Sequence, residues 1–425
     1  MNERVLIIGG GGREHSLAWK LAQSPHVDEI TVAPGNAGTL GYENAPIEPT
    51  DVESLVQFAL KREIDLTIVG PDEALAAGVV DAFRAERLPI FGPTKAAAKL
   101  ESSKVFAYNF MQRHNIPTFF ASSFVDFHSA KKYLRAKPWD EIVVKADGLA
   151  KGKGVEVPKS ARKAERALYK NLVEKQFGTA SETVLVQDRG EGPELSVFAI
   201  CDGENAVILP FCRDYKRLKD GNKGPNTGGM GNYGSVNVDP ELTKIIEQDI
   251  IRPTVEGMAT EQQPYKGILY VGLMLTKEGP KVIEYNARFG DPECQALMLL
   301  IDEDIYPHLW QAAKGVLNTE PIKIRSGAAV TIALAAKGYP GTPRQQDEIY
   351  GLEMITKLAK YDIHVFHGAT KHKGDRIITD GGRVLHIAAH AETLKKVRKK
   401  AYSVIGEHAI HFAGMQYRTD IGNSA

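Results

Sequence analysis

Short apolar runs alternate with amphipathic segments over the first hundred residues of the chain. Four of these runs end directly at glycine or proline, at residues 4–8, 29–33, 66–69 and 89–91. Strands that alternate with helices in this way predict a doubly wound parallel sheet. Ligands of such sheets bind at the carboxyl ends of the strands. The glycine and proline turns are therefore expected to line one crevice.

The apolar pattern changes after the fourth run. Residues 94–120 are typical of a helical connection, and a smaller unit follows with predicted strands at 142–144 and 183–187. The region 194–300 alternates strands and loops around one long helix near 240–260. A last mixed region of strands and helices comes after it. The pattern predicts a multidomain protein of mixed α/β and α+β class, with about two to four domains.

The composition argues against several classes of protein. Lys plus Arg and Asp plus Glu both total 53, so the formal charge is zero and no basic face for nucleic acid is indicated. Cys201, Cys212 and Cys294 are too few and too irregularly spaced for a disulfide framework or a zinc site. The first residues resemble neither a signal peptide nor a transit peptide, and no apolar run approaches the ~20 residues of a membrane helix. We expect a cytoplasmic monomer with no nucleic-acid or membrane partner.

Candidate metal ligands lie at the end of the predicted strand at residues 281–285. Side chains alternate along a strand, so Glu284 and Asn286 point to the same side. A carboxylate and a carboxamide two residues apart offer oxygen ligands to a hard cation. Arg288 and Asp291 follow on a loop. This combination favours a place where a metal-bound phosphate meets a charged substrate; an ordinary polar strand end is the alternative.

A glycine run at residues 9–12 follows the first predicted strand and precedes a helix. Free backbone N–H groups and the helix dipole favour a phosphate there, and Arg13 adds a charge-assisted fork. The Rossmann fingerprint requires a third glycine where Glu14 stands, which argues against a dinucleotide site. A purely structural tight turn is the alternative to a phosphate site.

A second loop, rich in lysine and glycine, follows another short predicted strand. Lys145 at the strand end could reach a nucleotide phosphate, and the N–H groups of Gly148, Gly152 and Gly154 could close over phosphates. It is not a Walker A loop, because no Gly-x4-Gly-Lys-Ser/Thr pattern can be drawn through it. A solvated basic hairpin is the alternative.

Two later segments have features of a nucleotide and substrate site. The backbone of the strand at residues 184–188 could hold adenine, and Glu194 stands where a ribose-binding acid could lie. Residues 214–231 contain five glycines among lysines and acids and show no apolar periodicity, which predicts a loop. Structureless loops of this length are usually functional or disordered, and this mixture of residues favours function.

Taken together, these segments resemble the ATP-grasp ligases and, within them, the glycinamide ribonucleotide synthetase family. The resemblance runs in order along the whole chain. It rests on the segments at residues 9–15, 34–38, 69–71, 145–155, 214–217, 223–231, 284–293 and 417–422. The segments at 223–231 and 284–293 are specific to this family rather than general to ATP-grasp enzymes.

The resemblance implies a domain organisation. It places an N-terminal substrate-side domain before an ATP-grasp core with a small lid, and a mixed α/β domain at the C-terminus. The expected parts are the N-terminal domain at 1–102, a helical connection at 103–120, the lid at 121–190, the central ATP-grasp domain at 191–325 and the C-terminal domain at 326–425.

The resemblance also implies a reaction and its cofactors. Enzymes of this family use ATP to join glycine to 5-phosphoribosylamine in de novo purine biosynthesis, through a glycyl phosphate intermediate. ATP and Mg²⁺ or Mn²⁺ are the implied cofactors, with Glu284 and Asn286 as the metal ligands. No enzyme nucleophile is required, which agrees with the lack of a convincing Ser/His/Asp or Cys/His set in the sequence.

Candidate site residues follow from the motifs and the resemblance together. Catalytic roles are assigned to Arg288, Asp291, Asp214 and Lys216. ATP contacts are assigned to Lys104, Lys145, Gly148, Gly152, Gly154, Gln187, Asp188 and Glu194. Substrate contacts are assigned to Gly10, Gly11, Gly12, Arg13, Asn36, Gly38, Gly228 and Gly229.

Two departures from the family pattern leave details open. The hinge carries Gln187 and Asp188 where the family usually has two acids, which leaves the side-chain contacts to adenine open. No acid stands near Gly272 on the strand before Glu284, which leaves the number of metal ions open. The closest alternative function is another ATP-grasp carboxylate–amine ligase or carboxylase of purine synthesis. A nicotinamide dehydrogenase and a non-catalytic nucleotide-binding regulator are alternatives from other classes.

Overall fold

The structure is a computed structural model that describes residues 3–150 and 153–423. The first region of the protein is built on a parallel sheet. Its strands are β1 (Glu3–Gly9), β2 (Val27–Pro34), β3 (Glu43–Asn44), β4 (Leu66–Val69) and β5 (Ile90–Phe91), and its helices are α1 (Gly12–Leu21), α2 (Val52–Arg62), α3 (Asp72–Ala77) and α4 (Val79–Ala85). The strand order is β3-β2-β1-β4-β5, with every pair parallel. The doubly wound sheet predicted from the apolar runs is confirmed.

Local chemistry explains where these elements begin and end. The apolar residues of β1, from Val5 to Ile8, are fully buried, as expected for a parallel strand covered on both faces. Asp51 caps α2 by accepting a hydrogen bond from the Ser54 N–H at 3.2 Å. Gly78 ends α3 in the left-handed conformation, with φ of 93°.

A small antiparallel unit follows the two connecting helices α5 (Lys99–Ser102) and α6 (Lys104–Arg113). It contains the strands β6 (Ala121–Phe124), β7 (Ile142–Ala146), β8 (Val155–Glu156) and β9 (Val184–Asp188), with the helices α7 (Phe127–Arg135) and α8 (Ala161–Leu172). The strands form one sheet in the order β6-β9-β7-β8. Residues 121–188 therefore contain a sheet of their own, whereas the bounds of a lid domain at 121–190 stay a prediction.

The remaining elements surround a nine-stranded sheet. Between residues 194 and 314 they are β10 (Glu194–Asp202), β11 (Ala206–Ile208), β12 (Cys212–Asp214), β13 (Arg217–Lys219), β14 (Lys223–Asn226), β15 (Gly231–Gly234), α9 (Pro240–Ile246), α10 (Arg252–Thr260), β16 (Lys266–Thr276), β17 (Gly279–Asn286), α11 (Glu293–Leu300) and α12 (Tyr306–Lys314). After residue 327 they are β18 (Ala328–Ala335), β19 (Ile349–Tyr350), α13 (Ile355–Ala359), β20 (Ile363–His367), β21 (Thr370–Lys373), β22 (Arg376–Thr379), β23 (Arg383–Ala391), α14 (Leu394–Tyr402) and β24 (His411–Phe412).

The large sheet joins the central and C-terminal regions. Its order is β17-β16-β10-β12-β15-β18-β23-β20, with β11 paired to β10. Directly opposite residues of neighbouring strands share a face of the sheet. Glu284 lies opposite Gly272, which lies opposite Ser196, which in turn lies opposite Cys212. Because side chains alternate along each strand, Asp214 belongs to the same face as Glu284.

One prediction about regular structure is wrong. Residues 214–231 were expected to form a loop, but they contain the hairpin of β13 and β14 and the start of β15. The hairpin has few apolar residues, so it carries no hydrophobic periodicity to read. Within the described ranges, no helix is long and apolar enough to cross a lipid bilayer.

Candidate active site

Glu284 near the end of β17 forms an ion pair with Lys216. The Lys216 Nζ lies 2.9 Å from Glu284 Oε1 and 3.9 Å from Glu194 Oε2. The Lys216 ammonium, against the opposing effect of burial, holds the pKa of the Glu284 carboxyl well below its usual range. Glu284 is therefore a carboxylate at neutral pH and can attract a cation.

Asn286, Arg288 and Glu101 form a second polar group beside it. Arg288 Nη2 donates to Glu101 Oε1 at 2.9 Å and to Asn286 Oδ1 at 3.1 Å. Glu101 is only 5% exposed, and its other oxygen accepts a hydrogen bond from the Ala287 N–H at 2.7 Å. Glu101 thus fixes the fork of Arg288. No sequence motif pointed to Glu101, because it comes from α5, nearly two hundred residues before Arg288.

A cavity brings together residues that the sequence placed far apart. Its lining includes Lys104 of α6, Lys145 of β7, Gln187 of β9 and Glu284 of β17, together with apolar side chains. The Lys145 Nζ donates to the Ile283 carbonyl at 2.8 Å, and burial lowers the pKa of this lysine to about 8. Three of the predicted ATP residues and one predicted metal ligand therefore face the same space.

The start of the lysine–glycine loop is tied to α6. Asp147 accepts a hydrogen bond from the Val105 N–H at 2.7 Å, and its carbonyl accepts from the Lys104 N–H at 3.0 Å. A Cβ on Gly148 would lie 2.6 Å from the Cβ of Ala180, so only glycine fits there. Gly154 packs against the Cβ of Ala150 in a similar way, whereas Gly152 lies outside the described residues.

The hinge residues differ in their surroundings. Gln187 is 4% exposed, and its Nε2 donates to the Phe119 carbonyl at 3.4 Å. The Asp188 carboxylate pairs with Lys137 near the surface. Glu194 is half-exposed and makes its long contact to Lys216. These positions are compatible with nucleotide contacts, and the assignment of Gln187, Asp188 and Glu194 remains a prediction.

Two carboxyl groups, those of the partly buried Asp214 and the buried Glu293, lie on the same face of the sheet as Glu284. Burial and the neighbouring Glu293 raise the pKa of Asp214 well above its usual value, and Lys216 opposes them. Glu293 is 2% exposed and accepts a hydrogen bond from the Tyr270 hydroxyl at 2.8 Å. A Cβ on Gly229 would lie 3.0 Å from Asp214 Oδ1, so the glycine permits a close approach. Such a pair of carboxyl groups can receive an ammonium group.

Asp291 is held by groups from two regions of the chain. Its carboxylate lies 3.1 Å from Arg383 Nη2, 2.9 Å from Gln295 Nε2 and 3.4 Å from His386 Nε2. Burial acts to raise the pKa of Asp291, but Arg383 and His386 outweigh it and hold the pKa below its usual range. Arg383 also donates to the Gly228 carbonyl at 2.9 Å.

The glycine run makes more internal contacts than the sequence suggested. The Gly11 N–H donates to Glu14 Oε2 at 2.7 Å. Arg13 donates to Glu14 Oε1 at 2.7 Å and to the Phe289 carbonyl at 3.2 Å. Asn36 donates to the Gly10 carbonyl at 3.0 Å. These donors are committed within the protein, so the phosphate site at this run remains a prediction that depends on other groups.

Gly12 and Gly38 support close packing between the first and last regions. A Cβ on Gly12 would lie 2.4 Å from His386 Nδ1, and a Cβ on Gly38 would lie 2.6 Å from His367 Cδ2 and 2.4 Å from His15 Cε1. Burial lowers the pKa of His386 to about 4 and that of His15 to about 3, so both imidazoles are neutral at pH 7. The role of these glycines as substrate contacts is not tested by this packing.

Comparisons with known proteins identify the family of the chain. Family models described as phosphoribosylglycinamide synthetase match the chain in three consecutive parts: the N domain at residues 3–101, the ATP-grasp (A) domain at 102–294 and the C domain at 329–424. The chain belongs to the phosphoribosylglycinamide synthetase family.

Relatives of this family match over the whole length of the chain. A phosphoribosylamine–glycine ligase of Vibrio cholerae is 45% identical over 427 residues, covering 99% of this chain and 98% of that protein. The trifunctional purine biosynthetic protein adenosine-3 of Gallus gallus is 45% identical over 100% of this chain. The chain spans 42% of the length of that longer relative.

A solved structure agrees with the fold of the family. The phosphoribosylamine–glycine ligase of Thermotoga maritima superposes with a TM-score of 0.86 at 35% identity, covering 98% of this chain and 100% of that one. The multidomain α/β architecture with an ATP-grasp core is therefore the fold of this chain.

Proposed function

We propose that this chain uses ATP to join glycine to 5-phosphoribosylamine, giving glycinamide ribonucleotide, ADP and phosphate in de novo purine biosynthesis. The observation that carries the proposal is the cavity shared by Lys104, Lys145, Gln187 and Glu284. It places cationic groups for phosphates beside a carboxylate that can hold a metal. The names and full-length similarity of the bacterial relatives support the choice of substrates.

Residues around this cavity are proposed to contact the phosphates, the adenine and the ribose of ATP. Lys104 and Lys145 would contact the phosphates, and the loop carrying Gly148, Gly152 and Gly154 would close over them. Backbone groups of the hinge would hold adenine, with the side chains of Gln187 and Asp188 beside it. Glu194 would accept hydrogen bonds from the ribose. Closure of the loop would also exclude water from an acyl phosphate.

A divalent cation fits the oxygen donors at the end of β17. Glu284 and Asn286 present a carboxylate and a carboxamide on the same side of the strand. In the described parts of the chain no group of three His, Cys, Asp or Glu side chains could hold a metal alone. Mg²⁺ typically takes one or two carboxylates and completes its shell with water and substrate phosphates, so few protein ligands suffice. Bound Mg²⁺ or Mn²⁺ would neutralise phosphate charge.

The reaction needs positioning and charge neutralisation rather than an enzyme nucleophile. A glycine carboxylate oxygen bonds to the γ-phosphorus as the bond to ADP breaks. The amine of phosphoribosylamine then attacks the carbonyl carbon, phosphate leaves and the nitrogen loses a proton. Arg288 would hold the glycine carboxylate or the transferring phosphoryl group, and Lys216 would balance its charge. Asp214 and Asp291 would receive the substrate ammonium groups.

Contacts to phosphoribosylamine are proposed for two loops. The ribose 5-phosphate would lie at the glycine run of the first region. The residues proposed there are Gly10, Gly11, Gly12, Arg13, Asn36 and Gly38. Gly228 and Gly229, which lie between Asp214 and Arg383, would contact the substrates from the other side.

The test is a phosphate-release assay with ATP and Mg²⁺, in which glycine and phosphoribosylamine are supplied separately and together. We expect release only when both are present, with glycinamide ribonucleotide formed in equal amount. Release that requires bicarbonate or formate instead of glycine would identify another member of the superfamily and overturn the proposal. Size-exclusion chromatography with light scattering would test the further proposal that the protein is a monomer.

A further inference from the structure

Arg418, close to the C-terminus, is a buried cation with four hydrogen bonds. It is 1% exposed. It forms a bidentate pair with the Asp420 carboxylate: Nε donates to Oδ1 and Nη2 donates to Oδ2, both at 2.7 Å. Burying a guanidinium is costly unless every donor has a partner, so such an arrangement is expected to serve a purpose.

The other contacts of Arg418 are to the hairpin of β13 and β14. Its Nη1 donates to Asn222 Oδ1 at 2.9 Å and to the Arg217 carbonyl at 3.2 Å. The guanidinium also lies 4.8 Å from the centre of the Tyr215 ring, in cation–π geometry. The Arg418 side chain thus contacts the turn of the hairpin, its first strand, and Tyr215, which lies two residues before that strand.

Neighbours of Arg418 hold the same hairpin. The Gly221 N–H donates to Asp420 Oδ2 at 2.8 Å, and the Thr419 N–H donates to Asp220 Oδ1 at 2.9 Å. The Gly422 N–H donates to the Tyr215 hydroxyl at 2.9 Å. We call residues 417–422 the C-terminal clasp. The hairpin depends on the clasp because residues 219–225 are exposed to solvent and have no apolar core of their own.

Tyr215, which the clasp contacts, is flanked on both sides by residues of the candidate active site. Tyr215 stands between Asp214 and Lys216, and Lys216 reaches Glu284 at 2.9 Å. The Lys216 carbonyl accepts hydrogen bonds from the N–H and the hydroxyl of Thr227, both at 2.8 Å. Fixing Tyr215 and the hairpin therefore fixes the two side chains that flank it.

We propose that Arg418 is a positioning residue for the ligation reaction. Through Tyr215 and the β13–β14 hairpin, the C-terminal clasp sets the position of Lys216 and Asp214 in the site. This proposal rests on the proposed function for the identity of the substrates. It does not require Arg418 to contact any of them.

The test compares Arg418→Met with Arg376→Met, which removes an exposed arginine paired with Glu348 in the same C-terminal region. A misplacement of about 1 Å in a site costs about 100-fold in rate. We expect Arg418→Met to lower kcat by about 100-fold and to leave the Kd for ATP within about twofold of wild type. Hydrogen exchange should accelerate at residues 215–227 and remain unchanged over residues 3–101. Arg376→Met should match wild type in kcat, in the Kd for ATP and in hydrogen exchange over both segments.

Chemical rescue distinguishes positioning from loss of folding. Added methylguanidinium should restore turnover in Arg418→Ala, and it should slow hydrogen exchange at the hairpin in parallel. Normal turnover of Arg418→Met together with accelerated hydrogen exchange at the hairpin would overturn the proposal. A loss of ATP affinity as large as the loss in kcat would also overturn it. If wild type ligates a carboxylate other than glycine, the same comparison is made with that substrate. A wrong assignment of the substrates and a wrong role for Arg418 then give separate results.

Discussion

The end of β17 and the glycine run after β1 were both predicted from short motifs at strand ends, but the structure treats them differently. At β17, Glu284 faces a cavity that Lys104 and Lys145 also line, and Glu284 and Arg288 each have a charged partner. At the glycine run, the N–H of Gly11 and the fork of Arg13 are already bonded to Glu14. Motifs of equal apparent strength thus gave a cavity lined by charged side chains in one case and a largely self-satisfied turn in the other.

The difference follows from what each motif depends on. Side-chain direction on a strand is fixed by the backbone, so a Glu-x-Asn pair can be assigned to one face from the sequence alone. A glycine loop offers backbone N–H groups, and which of them stay free depends on other side chains. Here the Glu14 carboxylate accepts a hydrogen bond from the N–H of Gly11, the N-cap residue of α1. Four predictions test this difference between the two regions.

Glu284→Ala should have the largest effect. Loss of the carboxylate removes one of two proposed metal ligands and leaves Lys216 without its partner. We expect kcat for ligation to fall by at least about 10³-fold, while ATP binding in the absence of metal persists. Phosphate release and equilibrium nucleotide binding measure the two effects.

The matched control for Glu284→Ala is Glu278→Gln. Glu278 lies at the exposed turn between β16 and β17, where it pairs with Lys281. Activity close to wild type is expected, because surface ion pairs contribute little. Near-normal turnover in Glu284→Ala itself would rule out the proposed metal role.

Glu101→Ala should have the next largest effect, on stability as well as on rate. Glu101 is buried and pairs with Arg288 at 2.9 Å. Removing one partner of a buried ion pair typically costs about 3–5 kcal/mol. Thermal unfolding of the variant should shift strongly to lower temperature. As a control, Glu392→Ala breaks an ion pair with Lys396 in which both side chains are exposed, and it should cost no more than about 1 kcal/mol. Equal shifts would mean that the Glu101 pair is not stabilising.

The same two regions show which features of the fold and of the site could be predicted from the sequence. The parallel sheet and the shared face of Glu284 and Asn286 follow from periods of hydrophobicity and of strand geometry, which are local. Glu101 and Arg383 could not be found in this way, because their partners lie about ninety residues or more away along the chain. The hairpin within residues 214–231 was missed because the clasp, and not an apolar pattern, holds it.

Lys145 should make nucleotide binding depend on pH. Burial lowers its pKa to about 8, so it is mostly charged at pH 7 and mostly neutral at pH 9. Only the ammonium attracts phosphates; hence the affinity of the metal-free protein for ATP should fall by up to about tenfold over that range. Lys104, Lys216, Glu194 and Glu284 face the same group and contribute to the apparent value.

Two controls isolate the contribution of Lys145. Binding of adenosine, which has no phosphates, should stay constant between pH 7 and pH 9. Lys145→Met should bind ATP more weakly and lose the step near pH 8. If the step remains in Lys145→Met, another of the facing groups is responsible for it.

Arg13→Ala should have the smallest effect on the reaction. Two of the three guanidinium nitrogens of Arg13 are bonded to Glu14 and to the Phe289 carbonyl, so little of the fork remains for a phosphate. We expect the KM for phosphoribosylamine to rise by about fivefold, or about 1 kcal/mol, with the KM for ATP unchanged. KM does not depend on the fraction of active protein, so any loss of stability is separated from the binding effect. Arg62→Ala is the control, because Arg62 is a partly exposed arginine of the same region that pairs with Glu43. Equal changes in both KM values would show that the glycine run is a structural turn, and the contrast with the end of β17 would then be complete.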